Sequence, residues 1–358
     1  MNHVMQLIQH PYIGGLEKMA FSLCKKQVDN TKMCLVALEG TNRTALEKWP
    51  ELSQLTHFVC LDKPEKFSFE TVDKLVNLID KFHINTIHSH HIGPLLYASL
   101  AKLKRPHIKH IHTIHDAWYL AKFKYRVLTQ LIRLLTPVVI VADAKAVADI
   151  VYQHTSVSSD HIVYNGIDTD YFTPIAQQAA RRALNLPLDK TLIGCAARVE
   201  PGKGHRAMLR SLKNLPNDVQ MVFAGSGSQL SDFQHYAAAL SVTERVHWLG
   251  CVEQMPTFYS ALDTLCLFSK REGLPLSILE AMSCNCPVVA SDVGGIKEVL
   301  NEHFGAVIPI EKEHLLAQTL LKSVEIKYTK DIRRHAIEIG NLSVMSEHYD
   351  KIYQSITV

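Results

Sequence analysis

Two doubly wound α/β domains facing each other, each a parallel sheet with helices on both sides, are the architecture this sequence predicts. Short apolar, β-rich runs alternate with amphipathic helical stretches along the whole chain, as parallel sheets covered on both faces require. The 358 residues exceed what one hydrophobic core usually organises. Asn165-Gly166-Ile167-Asp168, followed by Pro174, is turn chemistry that divides the series in two near residue 168.

The first series opens on a strand over 4–8, then Gly14-Gly15 and an amphipathic run over 16–26. Further strands are expected over 33–38, 86–88, 107–113 and 138–142, with helices over 70–82 and 94–103 between them. The second series places strands over 191–196, 219–223, 246–249, 264–268, 287–290 and 306–308. The segment from about 341 to 358 reads as a helix that is polar on one side. Ligands of open parallel sheets bind beyond the carboxyl ends of the strands, so two such domains would enclose a cleft between those edges.

Composition excludes several classes of function. Hydrophobic residues make up 47% and charged residues 20%, the balance of a folded globular protein rather than a disordered one. A net charge of +3 gives nucleic-acid binding no general electrostatic support. No apolar run reaches the roughly 18 residues of a membrane span. The start, Met1-Asn2-His3-Val4-Met5, lacks the basic and apolar regions of a secretory signal, so a cytoplasmic location is expected. Six of the eight cysteines sit singly in apolar segments, and Cys284-Asn285-Cys286 is spaced too tightly for a zinc knuckle or redox pair. Reduced, mostly buried thiols follow.

The chemistry gathers at the strand ends. Glu272-Gly273-Leu274-Pro275-Leu276-Ser277-Ile278-Leu279-Glu280 follows an apolar strand and leads into a helix. Gly273 lets backbone N–H groups approach a ligand, Pro275 suits the first helical turn, and the helix N-terminus favours a phosphate. Glu280, farther along, is suited to accept two hydrogen bonds from a ribose diol. Arg198-Val199-Glu200-Pro201-Gly202-Lys203-Gly204-His205 combines a forked guanidinium with a movable ammonium, able to neutralise a departing diphosphate. An ordinary loop with two solvated charges is the plain alternative. Gly225-Ser226-Gly227-Ser228 is a further small-residue loop, too short for a dinucleotide fingerprint and equally readable as a tight turn.

In the first half, His88-Ser89-His90-His91 and His112-Thr113-Ile114-His115-Asp116 follow β-like segments and could turn imidazoles into the cleft. No carboxylate–histidine helix pattern accompanies them, so core or supporting histidines are favoured over a metal site. Lys102, Lys104, Arg105, Lys109, Lys122, Lys124, Arg126 and Arg133 are opposed locally by Asp116 alone and interleave with Trp118, Phe123 and Leu131. Such a stretch either rests on an anionic membrane or forms a solvated helix face with a buried side.

With these motifs in this order, nearly the whole chain resembles glycosyltransferase family 4, whose members have the GT-B fold. The shared elements are Gly14-Gly15-Leu16-Glu17, His112-Thr113-Ile114-His115-Asp116, Asn165-Gly166-Ile167-Asp168, Arg198 with Lys203, Gly225-Ser226-Gly227 and Leu249-Gly250. Glu272 and Glu280 reproduce the family's Glu-x7-Glu element. Ala197 stands before Arg198 where many members carry glycine.

The resemblance implies a retaining transferase that moves a sugar from a nucleotide-diphosphate donor, with a UDP-sugar expected, to a glycan or lipid-linked acceptor. A role in bacterial envelope polysaccharide synthesis, as in lipopolysaccharide core or capsule, is the expected setting. It assigns Arg198 and Lys203 to the donor diphosphate, with backbone groups of Gly273, Leu274, Pro275 and Leu276. It assigns Glu280 to the ribose, Glu272 to the donor sugar near its reacting face, and His115 to contact with that sugar. Gly14, Gly15 and Gly225 join the donor side, and Gly250, Cys251 and Val252 meet the base through their backbone. No metal and no cofactor are expected. A domain over 1–168, completed by the final helix, would be the acceptor side, and 169–340 the donor side. The rival readings are a nucleotide-sugar epimerase of the same architecture and a catalytically silent nucleotide-sugar-binding scaffold. A nicotinamide dehydrogenase is disfavoured, because no complete Gly-x-Gly-x-x-Gly follows a strand.

Overall fold

The computed structural model describes residues 2–26, 31–325 and 330–355. Residues 356–358 of the expected final helix lie outside them. The chain forms two compact units, one of Met1–Gly166 with Leu342–Val358, the other of Ile167–Asn341.

The first unit is built on β1 (Asn2–Ile8), β2 (Thr31–Ala37), β3 (Phe58–Cys60), β4 (Thr86–His90), β5 (Lys109–Ile114), β6 (Val139–Ala142) and β7 (His161–Ile162). These pair in the order β3-β2-β1-β4-β5-β6-β7, and every pairing is parallel. Strand order reverses between β1 and β4, where Val4 lies opposite Thr86 and Leu7 opposite Ser89. The short edge strands β3 and β7 escaped the sequence reading: β3 has three half-buried residues without alternation, and β7 has two exposed ones.

The second unit is built on β8 (Thr191–Ala196), β9 (Val219–Ala224), β10 (Val246–Gly250), β11 (Thr264–Leu267), β12 (Val288–Ser291) and β13 (Gly305–Ile308). Their order is β10-β9-β8-β11-β12-β13, again parallel throughout. The reversal falls between β8 and β11, where Ile193 faces Thr264 and Gly194 faces Leu265. A reversal of this kind opens a crevice at the carboxyl ends of the two flanking strands.

Both cores are apolar, as strands covered on both faces demand. Met5, Leu7, Val36, Leu75 and Ile87 pack in the first, and Ile193, Met208, Phe223, Cys266 and Leu316 in the second. β5 also buries His110, His112 and Thr113, and β4 departs furthest, since Thr86, His88, Ser89 and His90 are all buried. The final helix, Leu342–Ser355, satisfies part of this polar strand: Tyr353 bonds His88, and Tyr349 bonds Thr113 of β5.

The basic stretch reads differently in the fold. Lys104 pairs with Asp73, Arg105 with Asp80 and Arg133 with Asp160, carboxylates far away in sequence. Lys102 is buried and bonds the Ile108 carbonyl. Asp116 is therefore not the sole opposing charge, and the unpaired character expected of this stretch is corrected.

Candidate functional site

In the second unit the two charged loops leave the sheet from the strands that flank its reversal. After β8 the chain passes through Arg198 and Lys203 to the helix His205–Leu212; after β11 it passes through Glu272 to the helix Leu276–Ser283. Neighbouring strand ends bring the loops together: Lys270 N donates to Gly202 O over 2.7 Å, and Lys203 Nζ lies 2.7 Å from Glu272 Oε1. This pair is mostly shielded from water, with the side chains 25% and 12% exposed. Arg198, at the start of the same loop, is exposed. Glu200, next along, accepts from both the backbone N and the hydroxyl of Ser228, which hold its carboxyl below the usual carboxylate value. The β8 loop is thereby tied to the glycine loop after β9.

That glycine loop is close-packed against the first. Gly225 has φ of 140° and donates its N–H to Gly250 O over 2.7 Å, and a Cβ on it would overlap the Ala197 carbonyl. Gly250 adopts a left-handed φ of 65° at the end of β10. Cys251 follows, exposed, with Sγ 3.2 Å from the Ser226 hydroxyl, and Val252 is half-buried.

Gly273 and Leu274 are buried beneath the Glu272 loop. Pro275 has an extended ψ of 124° and is the residue before the helix, so its expected place within the first helical turn is corrected by one position. No side chain caps this helix start, at which Leu276 is the first helical residue. A second glycine pair, absent from the sequence reading, supports the loop from below: Gly295 N donates to Gly273 O over 2.9 Å. Gly294 has φ of 57°, and a Cβ on it would overlap the Glu272 carbonyl. An Asp-Val-Gly-Gly string directly after a strand was the available signal. Glu280 is 8% exposed, and its Oε2 accepts from the Tyr259 hydroxyl over 2.6 Å. Burial, then the Glu280 charge, pushes the Tyr259 phenol well above its ordinary value.

In the first unit, Gly14 precedes the helix Gly15–Lys26 at the end of β1, and its carbonyl accepts from Lys18 N over 2.9 Å. The histidine-rich segments lie mostly within strands, β4 running two residues beyond its expected end at 88. His88 and His90 lie within β4 and His112 within β5, all fully buried, so these are the core histidines that the sequence favoured. Burial depresses all three imidazoles strongly, and pushes those of His110 to about 3 and His91 to about 4. They are neutral hydrogen-bonding groups at neutral pH.

His115 stands just beyond β5. Its Nε2 is 3.0 Å from His90 Nδ1, and its Nδ1 faces Asp143 Oδ2 at 3.6 Å, an oxygen that accepts from Asn165 Nδ2 over 3.1 Å. Beside it, His91, His112, Asp116 and Tyr119 line a recess of about 10 Å³, the room needed by one water. His91 closes β4 with a left-handed φ of 69°, strain of the kind that collects at functional sites. No cluster of three or more histidine, cysteine or acidic side chains suited to a metal occurs among the described residues.

Two family profiles match the chain: one described as Glycosyltransferase Family 4 over residues 13–171, and one described as Glycosyl transferases group 1 over residues 176–340. The D-inositol 3-phosphate glycosyltransferase of Xylanimonas cellulosilytica is 33% identical over 160 residues, which are 41% of this chain and 38% of the relative. The matched stretch thus spans well under half the length of that curated relative. HepE of Anabaena, solved in complex with UDP-glucose, has a TM-score of 0.86 at 18% identity, covering 99% of this chain and 100% of HepE. WaaG, a glycosyltransferase involved in lipopolysaccharide biosynthesis, has a TM-score of 0.73 at 15% identity, covering 99% and 100%. At such identities the solved structures speak for the fold.

Proposed function

Because the chain belongs to glycosyltransferase family 4 and has the GT-B fold, we propose that it transfers a sugar, with retention of configuration, from a nucleotide-diphosphate donor to a glycan or lipid-linked acceptor. One observation carries this reading: Lys203 and Glu272 meet at 2.7 Å where the second sheet reverses, on loops that also carry exposed Arg198 and lead to a helix start with no side-chain cap. Cations and free backbone N–H groups suit a diphosphate, and a carboxylate suits sugar hydroxyls. Glu280, oriented by Tyr259, takes the ribose, and the turn of Gly250, Cys251 and Val252 takes the base. UDP is the favoured nucleotide, supported by the complexes in which HepE was solved.

In the reaction, the bond from the anomeric carbon to the diphosphate oxygen breaks as the bond to the acceptor oxygen forms on the same face. The acceptor's proton passes to the departing phosphate oxygen. Arg198 and Lys203 stabilise the charge that develops there, so the reading takes no metal. Glu272 orients the sugar hydroxyls, and His115 supports the reacting centre.

The acceptor is placed at the cytoplasmic face of an anionic membrane, in envelope glycan synthesis. The helix Phe123–Leu135 supports this: Phe123 and Leu134 are 73% and 81% exposed, and Lys122 and Lys124 lie exposed at its start. No described helix is long and apolar enough to cross a membrane.

The test is release of free nucleoside diphosphate from UDP-sugars, with and without candidate acceptors. Acceptor-dependent release of UDP, with a new α-configured product from an α-linked donor, is expected. Isomerised donor without acceptor would favour the epimerase, and binding without turnover the scaffold.

A further inference from the structure

The buried polar strand β4 connects His115 to the final helix by an unbroken series of hydrogen bonds. Gln6 of β1 is fully buried, and its amide nitrogen faces two acceptors, the Tyr353 hydroxyl at 3.0 Å and Met33 Sδ at 3.9 Å. The Tyr353 hydroxyl, accepting from Gln6, sends its own proton to His88 Nδ1 at 2.8 Å. His88 Nε2–H then donates to Thr113 Oγ1 at 2.7 Å, whose proton points to the Tyr349 hydroxyl at 2.9 Å. With the amide placed this way each group in the branch takes one role, and Met33 Sδ favours that placement, because a reversed amide would set its oxygen against a sulfur that has no hydrogen to give.

The other end of that amide decides the second branch. Gln6 Oε1 lies 2.8 Å from His90 Nε2, so this nitrogen carries the hydrogen. His90 is fully buried and neutral, which leaves its Nδ1 bare. His90 Nδ1 therefore accepts from His115 Nε2–H at 3.0 Å, with the Asp143 carboxylate facing the opposite nitrogen of His115. A reversed Gln6 amide would invert every donor in this branch and leave His115 Nε2 bare.

We propose that Gln6, His90 and Tyr353 are positioning residues, which together set the ring orientation and the protonated nitrogen of His115. The proposal rests on the reading of His115 as the group beside the reacting sugar. Nothing in the series touches substrate, and its effect reaches the reaction through one imidazole. Shifts of about 1 Å at a reacting group cost up to about 10²-fold in rate.

Tyr353→Phe removes the hydroxyl that pins the amide. It should lower kcat about tenfold while leaving the donor KM within about twofold. Nitrogen-15 spectra of histidine-labelled protein, with the His115 signals assigned by difference from His115→Ala, should show its Nε2 losing protonated character. Gln6→Met carries the same two expectations and replaces Tyr353→Phe if that variant melts early. An unchanged His115 nitrogen pattern in the folded variant overturns the relay. Full turnover in His115→Ala overturns the reading beneath it, which the spectrum then distinguishes from a failure of the relay.

Discussion

The phenol of Tyr259 donates to Oε2 of Glu280 over 2.6 Å in the interior of the second unit, where Tyr259 is fully buried and Glu280 is 8% exposed. That donor helps hold the orientation of the carboxylate. Tyr259→Phe should cost about 1.5–3 kcal/mol, the range for a hydrogen bond to a charged group. Denaturant unfolding measures that cost. Calorimetry should show UDP binding weakened about tenfold as well, and unaltered affinity would detach Glu280 from the ribose.

Lys203 and Glu272 hold each other at 2.7 Å, and a diphosphate bound beside them would compete for Lys203. Lys203→Ala should therefore reduce turnover by about 10²–10³-fold, the scale for removing one group that stabilises transition-state charge. Unfolding free energy should fall by about 1–3 kcal/mol, between the values for exposed and fully buried ion pairs. A large loss of stability with modest loss of turnover would make the pair a structural tie.

Gly294 stands where any Cβ would overlap the Glu272 carbonyl, at a left-handed φ. Gly294→Ala should displace the Glu272 loop and cost about 1–3 kcal/mol in strain. Steady-state kinetics should show kcat/KM for the donor reduced at least about tenfold. Wild-type kinetics in a destabilised variant would show that Glu272 does not need its position.

The buried histidines make stability depend on acidity in a definite direction. His110 and His91 have values near 3 and 4 in the fold, and burial holds His88, His90 and His112 low as well. The unfolded chain takes up protons on these rings at about pH 6.5, whereas the fold does not. Their contribution is thus complete above pH 6.5 and is lost as pH falls towards 4. Each ring adds up to about 1.4 kcal/mol per pH unit over that window. Urea unfolding followed by circular dichroism at pH 7.5, 6 and 5 measures it, and a flat profile would mean that the rings are charged in the fold.

Phe123 and Leu134 are the most exposed large apolar side chains of the helix Phe123–Leu135. Leu134→Asp combined with Phe123→Asp should abolish flotation with vesicles containing phosphatidylglycerol, with UDP binding retained. Equal flotation of the variant would move membrane contact elsewhere or remove it.

The sequence reading succeeded where local pattern decides and failed where partners are distant. β8 was bounded at Thr191 and Ala196 by its apolar run alone. The charged loops after β8 and β11 were legible because strand, loop and helix follow one another directly in the chain. Pro275 was misplaced by one residue, since its fixed φ fits both the first helical position and the extended residue before it. The partners of Lys104, Arg105 and Arg133 were invisible because the fold delivers Asp73, Asp80 and Asp160 from other elements. His90 gave the same difficulty: its partner Gln6 is 84 residues away, and Gln6's partner Tyr353 lies 347 residues from it. No periodicity encodes such pairs.

The return of Leu342–Ser355 to the first sheet also sets a timetable for synthesis. A chain made from its N-terminus exposes β4 long before Tyr349 and Tyr353 exist, because all of Ile167–Asn341 must be translated in between. At roughly 5–20 residues per second, His88 and Thr113 wait for roughly 10–50 seconds without those hydroxyls. The second unit, contiguous in sequence, can close first. Until Leu342–Ser355 returns, His88 and Thr113 lack the hydroxyl partners that the complete first unit gives them.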